Sequence, residues 1–553
     1  MRGLFSVLKG SYPLLIFTVI TSVVTGLFST LIIKEIHASL TSEETFDATA
    51  FSIYFFSMVV AYLIASVLAS VSIASINRGM IHQLRLMLSE KVLSAPYERV
   101  ENLKSNILPV LTDDLNHISN LVNRLPSVTT GFATVFGILA YLFWLSPLMG
   151  FFTFGAFFIV LLVNLVNMRY LGKYAKLNRA HTNTIYKVFE GLVYGIANLM
   201  LHKKFKKRYV DEKLKVESQK QMRWYFRETV FNAMNNRLND GILMAFLGVM
   251  ILLVYIFNIV TVSFFNTYLT LILFMLGPLS TVSGFWGTVK RIEAALVQVK
   301  KLGIRLDESA EERKKRLAEE SRKEQHSFDQ NEELPAETPL IKLKKLDFTY
   351  RFVDNPFQLN DINLEIYPGQ RLFIEGGNGS GKSTLIKVIC GLYLPQEGSV
   401  FYRGKEITDK ELASFRDQFA VVLTDSYLFD DLGHLSEEKR TKAEMYLEML
   451  EMNHKVSFKN GKFSSVDLSS GQKKRLQLVH MLMEDKEIYI FDEWVAYQDR
   501  HSKELFYTKV LPYLKDQGKT VINIAHDYTY ENLADIIVKM EDGVIVSKKR
   551  GEL

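Results

Sequence analysis

Two short stretches carry most of the chemistry this chain could do. The first, GGNGSGKST, comprises Gly376, Gly377, Asn378, Gly379, Ser380, Gly381, Lys382, Ser383 and Thr384. It follows an apolar run, RLFIE, and precedes LIKVICGLY, a helix-compatible run. Strand, glycine loop and helix form the setting in which backbone N–H groups close around phosphates, a lysine reaches the β/γ-phosphates, and a serine hydroxyl meets Mg²⁺. The second, LSSGQKKR at 468–475, places two serines and a glycine at the start of another helical run. That is also an anion-holding helix N-terminus. One chain therefore carries two phosphate cradles.

Carboxylates and a histidine end two further apolar strands. In KEIYIFDEW the run IYIF stops at Asp492 and Glu493. Ligands gather at the carboxyl ends of buried parallel strands, so Asp492 is placed to hold Mg²⁺ through water and Glu493 to act as general base. A strand end with solvated acids is the alternative, weakened by the glycine loop upstream. VINIAHDY ends at His526, either a structural histidine or a γ-phosphate sensor. Tyr350, at the end of LDFTY, either stacks on a base or packs within a strand.

These elements occupy only the second part of the 553 residues. The chain is 48% hydrophobic with a mean hydropathy of +0.07, and the apolar residues concentrate before residue 300. Four stretches, 10–33, 48–77, 125–168 and 241–289, contain no Asp, Glu, Lys or Arg. A crossing needs about 20 apolar residues. The first two stretches are one crossing each, and the longer two are divided at Ser146–Pro147 and at Asn258 to Val262. Six spans are predicted, at 12–33, 51–75, 127–146, 148–168, 239–258 and 263–287. The N-terminal apolar run is too long for a cleaved signal and reads as the first span.

Charge orients the spans. Segment 35–50 holds Glu35, Glu43, Glu44 and Asp47 and no Lys or Arg, whereas 78–124 holds six Lys/Arg and 169–240 holds sixteen. The long basic connections are cytoplasmic by the positive-inside tendency. HKKFKKR at 202–208 then reads as a cytoplasmic loop or solvated helix face, and no nucleic-acid partner is expected. Spans 2 to 5 are expected to run on as helices below the membrane. The only cysteine, Cys390, provides neither a disulfide framework nor a thiolate metal site, which suits a reducing cytoplasm. A charged segment, 305–339, links the halves.

Residues 340–553 resemble the ATPase domain of ATP-binding cassette (ABC) transporters. The similarity rests on GGNGSGKST as Walker A, IYIFDE as Walker B, LSSGQ as the signature loop, His526 as the switch histidine and Asp499 at the D-loop. With six spans ahead of it, the chain resembles an exporter-type half-transporter. The implied fold is an all-α six-helix transmembrane domain (1–304) and a charged linker (305–339), fused to an α/β P-loop NTPase domain (340–553). The resemblance also implies ATP and Mg²⁺ as ligands and a homodimer in a cytoplasmic membrane. Ser469, Ser470, Gly471 and Gln472 would then meet the partner's ATP. Segments Thr112–Ile118 and His202–Arg208 align with the coupling helices of such exporters.

Finer features narrow the resemblance. FDEW, SSGQKKRLQL, the 43 positions from Asp425 to Leu468, and GIANLMLHKKFKKRY are similar to the cyclic-peptide exporter subfamily. Where most cassettes have a glutamine, FAVVLTDSYLFD places Thr424, next to Asp425, and either residue could take that role toward Mg²⁺ and water. The implied function is ATP-driven export of a cyclic peptide or peptide siderophore precursor. Export of lipids or hydrophobic drugs, and siderophore import by an exporter fold, are the alternatives. A soluble P-loop kinase would need neither six spans nor LSSGQ.

Overall fold

The computed structural model describes residues 11–41, 47–102, 104–257, 262–301, 335, 337–351, 356–424, 426–433, 436–459, 461–524 and 528–550. The chain forms two compact units. One comprises Met1–Ala95 and Arg99–Glu312, and the other Pro96–Glu98 with Arg313–Leu553. Most of the charged segment 305–339, and all of the expected break from Asn258 to Val262 except Val262, lie outside the described residues.

The first unit is helical. Its long helices are α1 (Tyr12–Thr41), α2 (Ala48–Leu93), α3 (Leu115–Leu145), α4 (Pro147–Tyr194), α5 (Lys215–Phe257) and α6 (Val262–Lys301). Asp47 caps α2 by accepting from the Thr49 and Ala50 N–H groups. Ser146 is extended and Pro147 opens α4, so the turn read from Ser-Pro separates α3 from α4. At 1.5 Å per residue, the 46 residues of α2 and 48 of α4 reach about 70 Å. A hydrocarbon core is about 30 Å thick, so both helices are longer than one crossing needs.

Among the described residues, five helices are long and apolar enough to cross a membrane: Tyr12–Ser39, Ala48–Leu93, Ile107–Leu145, Pro147–Tyr194 and Tyr268–Lys290. The fifth expected span, 239–258, is the one not among these five; it falls on the second half of α5, next to the undescribed residues. Side chains from α1 and α3 to α6 close a core around Ile138, Ala156, Leu243, Leu271, Ile272 and Met275. Around it Val71, Trp144, Phe151 and Val166 stay exposed, an apolar exterior that suits lipid.

The second unit is α/β. A six-stranded sheet runs in the order β12-β11-β3-β10-β9-β6, and a four-stranded antiparallel sheet in the order β2-β1-β4-β5. The former contains β3 (Arg371–Gly376), β6 (Phe419–Val422), β9 (Ile488–Phe491), β10 (Thr520–Ile524), β11 (Ile536–Glu541) and β12 (Val544–Arg550). The latter contains β1 (Ile341–Thr349), β2 (Gln358–Ile366), β4 (Glu397–Tyr402) and β5 (Lys405–Glu406), and β7 (Phe458–Lys459) pairs with β8 (Lys462–Phe463) in a small separate ribbon. β3, β10, β9 and β6 are parallel neighbours, with Val521 beside Arg371 and Tyr489, and β11 runs parallel to β3.

Alternation assigns each face of that sheet to its own core. Phe373, Tyr489, Phe491 and Val521 face one core, and Leu372, Ile374, Ile490 and Ile522 the other. Being buried on both faces makes these strands continuous apolar runs, which is why RLFIE and IYIF were readable. The carboxyl ends of β3 and β9 then bring the glycine loop and the Asp492–Glu493 pair to one edge.

Candidate functional site

The glycine loop leaves β3 and enters α7 (Lys382–Ile389), the next long helix being α8 (Glu437–Met449). Gly381 caps that helix at φ +102, a conformation that L side chains avoid. A methyl group there would also lie 2.8 Å from Phe357 Cζ and 2.9 Å from Leu359 Cδ2. Glycine is thus required at this position twice over, by torsion and by space.

A cavity of about 340 Å³ opens over the loop, lined by Tyr350, Phe357, Asn378, Gly379, Gly381, Lys382, Ser383, Thr384 and Glu493. The Lys382 side chain is buried, and its Nζ donates to the Gly376 and Gly377 carbonyls at 2.9 Å each. Burial holds its pKa below the ordinary lysine value, against the opposing pull of Glu493 and Asp492. Tyr350 Oη and Thr384 Oγ1 are 3.0 Å apart, and the Tyr350 ring stands edge-on to Tyr393. The tyrosine therefore has a packing role here and also lines the cavity.

Ser383 Oγ donates to Asp492 Oδ1 at 2.9 Å. Asp492 is 3% exposed, and burial raises its pKa above the usual carboxylate value; the Ser383 hydrogen bond opposes this and the Glu493 charge adds to it. One carboxylate and one hydroxyl converging beside a phosphate loop fit Mg²⁺, a hard ion that takes few protein oxygens and completes its shell with water and phosphate. Thr424 Oγ1 donates to the Asp492 carbonyl at 3.3 Å, which places Thr424 at the same strand end. Glu493 adopts φ +51, ψ +29, a left-handed conformation, between β9 and a one-turn 3₁₀ helix, Trp494–Tyr497. Asp425 and His526 lie outside the described residues.

The signature residues form a separate site. Ser469 caps α9 (Ser470–Met483) in a capping box: its Oγ accepts from Gln472 N at 3.4 Å, and Ser469 N donates to Gln472 Oε1 at 3.2 Å. Ser469 and Ser470 are exposed, and the loop does not line the phosphate-loop cavity. Asp499 caps the helix Arg500–Leu505 through Ser502 N at 2.7 Å.

Sequence reading missed three participants. Phe357 lies against Gly381 and lines the cavity; its signal was an apolar residue just ahead of β2. Trp494, noted only as a departure from the usual motif, is 1% exposed and donates from Nε1 to the Lys474 carbonyl of α9 at 3.1 Å. Gln498 is buried beside Gly471, and nothing in its local sequence pointed there. Within the first unit, Asn164 of α4 pairs with Asn235 and Asn239 of α5, so this span amide serves helix pairing.

Comparison with known proteins matches this geometry. Residues 12–279 match the family described as the ABC transporter transmembrane region, and residues 359–496 match the family described as ABC transporter. The ATP-binding protein SyrD of Pseudomonas syringae pv. syringae is 29% identical over 99% of this chain and 96% of its own length. The energy-coupling factor transporter ATP-binding protein EcfA1 of Mycoplasmopsis synoviae is 32% identical over 38% of this chain and 82% of its own. An ATP-dependent lipid A-core flippase of Photobacterium profundum is 29% identical over 38% of each. A helical membrane domain is thus fused to an ATP-hydrolysing α/β domain that lies in the cytoplasm, and this multi-pass chain belongs to the ABC transporters, as an ATP-driven exporter.

Proposed function

We propose that two copies of this chain form one transporter, with six spans each, and share two ATP molecules between them. The observation that carries this reading is the separation of the two cradles within one chain. Gly381, Lys382 and Ser383 line the cavity, while exposed Ser469 and half-buried Gly471 stand at the N-terminus of α9 outside it. A helix N-terminus turned outward is completed by a phosphate bound to another copy.

In that arrangement Lys382 exchanges its two loop carbonyls for phosphate oxygens, Ser383 and Asp492 hold Mg²⁺, and Glu493 takes the proton of the attacking water. The bound metal supplies charge neutralisation across the phosphates. Thr424 assists at the strand end in place of the usual glutamine, with Asp425 and His526 as the remaining candidates. ATP closes the pair because two half-sites share each nucleotide, and hydrolysis reverses that population shift. The connections near Thr112–Ile118 and His202–Arg208 carry the movement to the spans.

Mixing variants tests the shared site. Lys382→Ala disables one cradle and Gly471→Asp the other. Mixed dimers hold one intact site, so mixing should restore ATPase activity to two inactive chains. No recovery would sink the shared-site reading.

For cargo, we propose a cyclic peptide or peptide siderophore precursor. FDEW, the Thr424 substitution and the full-length similarity to SyrD support it. Inside-out vesicles decide between readings. A cyclic peptide should stimulate ATPase activity and accumulate inside; stimulation by lipid or hydrophobic drug alone would favour the flippase-like alternative.

A further inference from the structure

The 3₁₀ turn after Glu493 is bonded to α9 at its start and comes near it again at its end. Trp494, at its start, fills the core against Phe506 with ring centroids 5.1 Å apart, and its indole N–H holds the Lys474 carbonyl. Gln498, at its end, is fixed at its backbone by N–H donation to the Val495 carbonyl at 3.2 Å. The residue is 8% exposed, and its amide lies one helical turn along α9, near Gly471: a methyl group on Gly471 would be 3.6 Å from Gln498 Oε1. Among the described residues, neither Oε1 nor Nε2 of Gln498 has a hydrogen-bond partner. One end of the turn is bonded to α9, and the amide near its other end is buried and unmatched.

A buried amide with both ends unpaired destabilises the conformation that contains it, and an apolar side chain of similar shape would not. The neighbour it reaches is the signature loop; a helix leaves its first N–H groups without backbone acceptors, and the capping box there takes up only that of Gln472. We propose that Gln498 is a positioning residue for ATP hydrolysis, its amide pairing with the signature-loop backbone when that loop closes on the partner's ATP. Trp494 is the fixed point of this device and Gln498 its latch. Through them the turn that carries Glu493 is tied to the half-site the chain lends to its partner. This inference rests on the shared-site reading above.

The test uses the full-length chain in lipid nanodiscs. Glu493→Gln, which removes the base, should occlude radiolabelled ATP in the shared site. Adding Gln498→Leu, or Gln498→Met as a second apolar replacement, should shorten the occlusion half-life about fivefold. In the parental background either replacement should lower kcat by a similar factor. The same substitutions should raise Tm by a few degrees, because the unmatched amide is gone. Unchanged occlusion and kcat, whether or not Tm rises, would overturn the proposal while leaving the shared site standing; an unchanged Tm as well is what a water-satisfied amide gives. Loss of both Tm and occlusion would assign Gln498 to packing and overturn it too. If Glu493→Gln alone occludes no ATP, the shared-site reading fails and this inference falls with it.

Discussion

Ser383 Oγ and Asp492 Oδ1 stand 2.9 Å apart although 109 positions separate them in the chain. β3 and β9 both flank β10, so their ends bring the two side chains to one edge. Burial holds the Asp492 pKa above its ordinary value of 3.8. A carboxyl raised in the folded state stabilises the fold while protonated, and that contribution is lost as pH rises through the folded pKa. Asp492→Asn should therefore raise Tm relative to the parent at pH 7 to 8, measured without nucleotide or Mg²⁺. The gap should narrow toward about pH 4, and ATPase activity should be lost throughout. A gap that widens on acidification would contradict this sign.

Gly381→Ala brings a methyl group against Phe357 and Leu359 at φ +102. Torsional strain alone costs about 1–3 kcal/mol. The loop should shift, and ATP binding measured by calorimetry should weaken at least tenfold. Adding Phe357→Ala should recover part of that loss, because it removes the nearest clash and leaves the torsion. No recovery would mean torsion alone decides the position.

A buried ion pair joins Arg179 of α4 to Asp114, the last residue of a π-helical segment (Val110–Asp114) that leads into α3, at 2.7 Å. Both side chains are at least nine-tenths buried. Breaking such a pair leaves one uncompensated charge, at a cost of about 3–5 kcal/mol. Asp114→Leu should lower the Tm of the chain in nanodiscs sharply. Asp114→Leu with Arg179→Met should recover most of the loss, since an apolar pair of similar volume is tolerated. A double variant as unstable as the single would show that the pair has a further role.

The amides between α4 and α5 should behave as helix glue. Asn235 Nδ2 donates to Asn164 Oδ1 at 2.8 Å, and Asn167 Nδ2 to Asn235 Oδ1 at 2.6 Å. Further along, Asn178 Nδ2 donates to Glu228 Oε2 at 2.8 Å. In membranes such contacts average about 0.6 kcal/mol and reach about 2. A double-mutant cycle with Asn164→Leu and Asn235→Leu should give a coupling in that range from unfolding in mixed micelles. If Asn164 instead contacted cargo, Asn164→Leu would shift the cargo concentration that half-stimulates ATPase activity and leave stability unchanged.

The sequence made the sheet and the phosphate loop readable because buried parallel strands must be apolar throughout and the loop needs glycine at fixed places. Spans and their turns were readable for a similar reason: lipid forbids charge, and Ser146–Pro147 interrupts an otherwise uniform run. What stayed hidden were contacts between residues distant in sequence. Nothing around Phe357 says that it meets Gly381, and nothing around Asn164 says that α5 brings Asn235 and Asn239 to it. The tryptophan of FDEW was visible as an oddity, but its hydrogen bond to Lys474 depends on how α9 packs on the end of β9.

Glu493 is a non-glycine residue held in a left-handed conformation. The backbone there would relax with glycine or asparagine, and either change would also remove the carboxylate. A laboratory selection of this exporter for heat resistance alone would thus favour replacements at position 493 and return sturdier chains that no longer turn over ATP. Screens for a more robust version need a transport readout at every round.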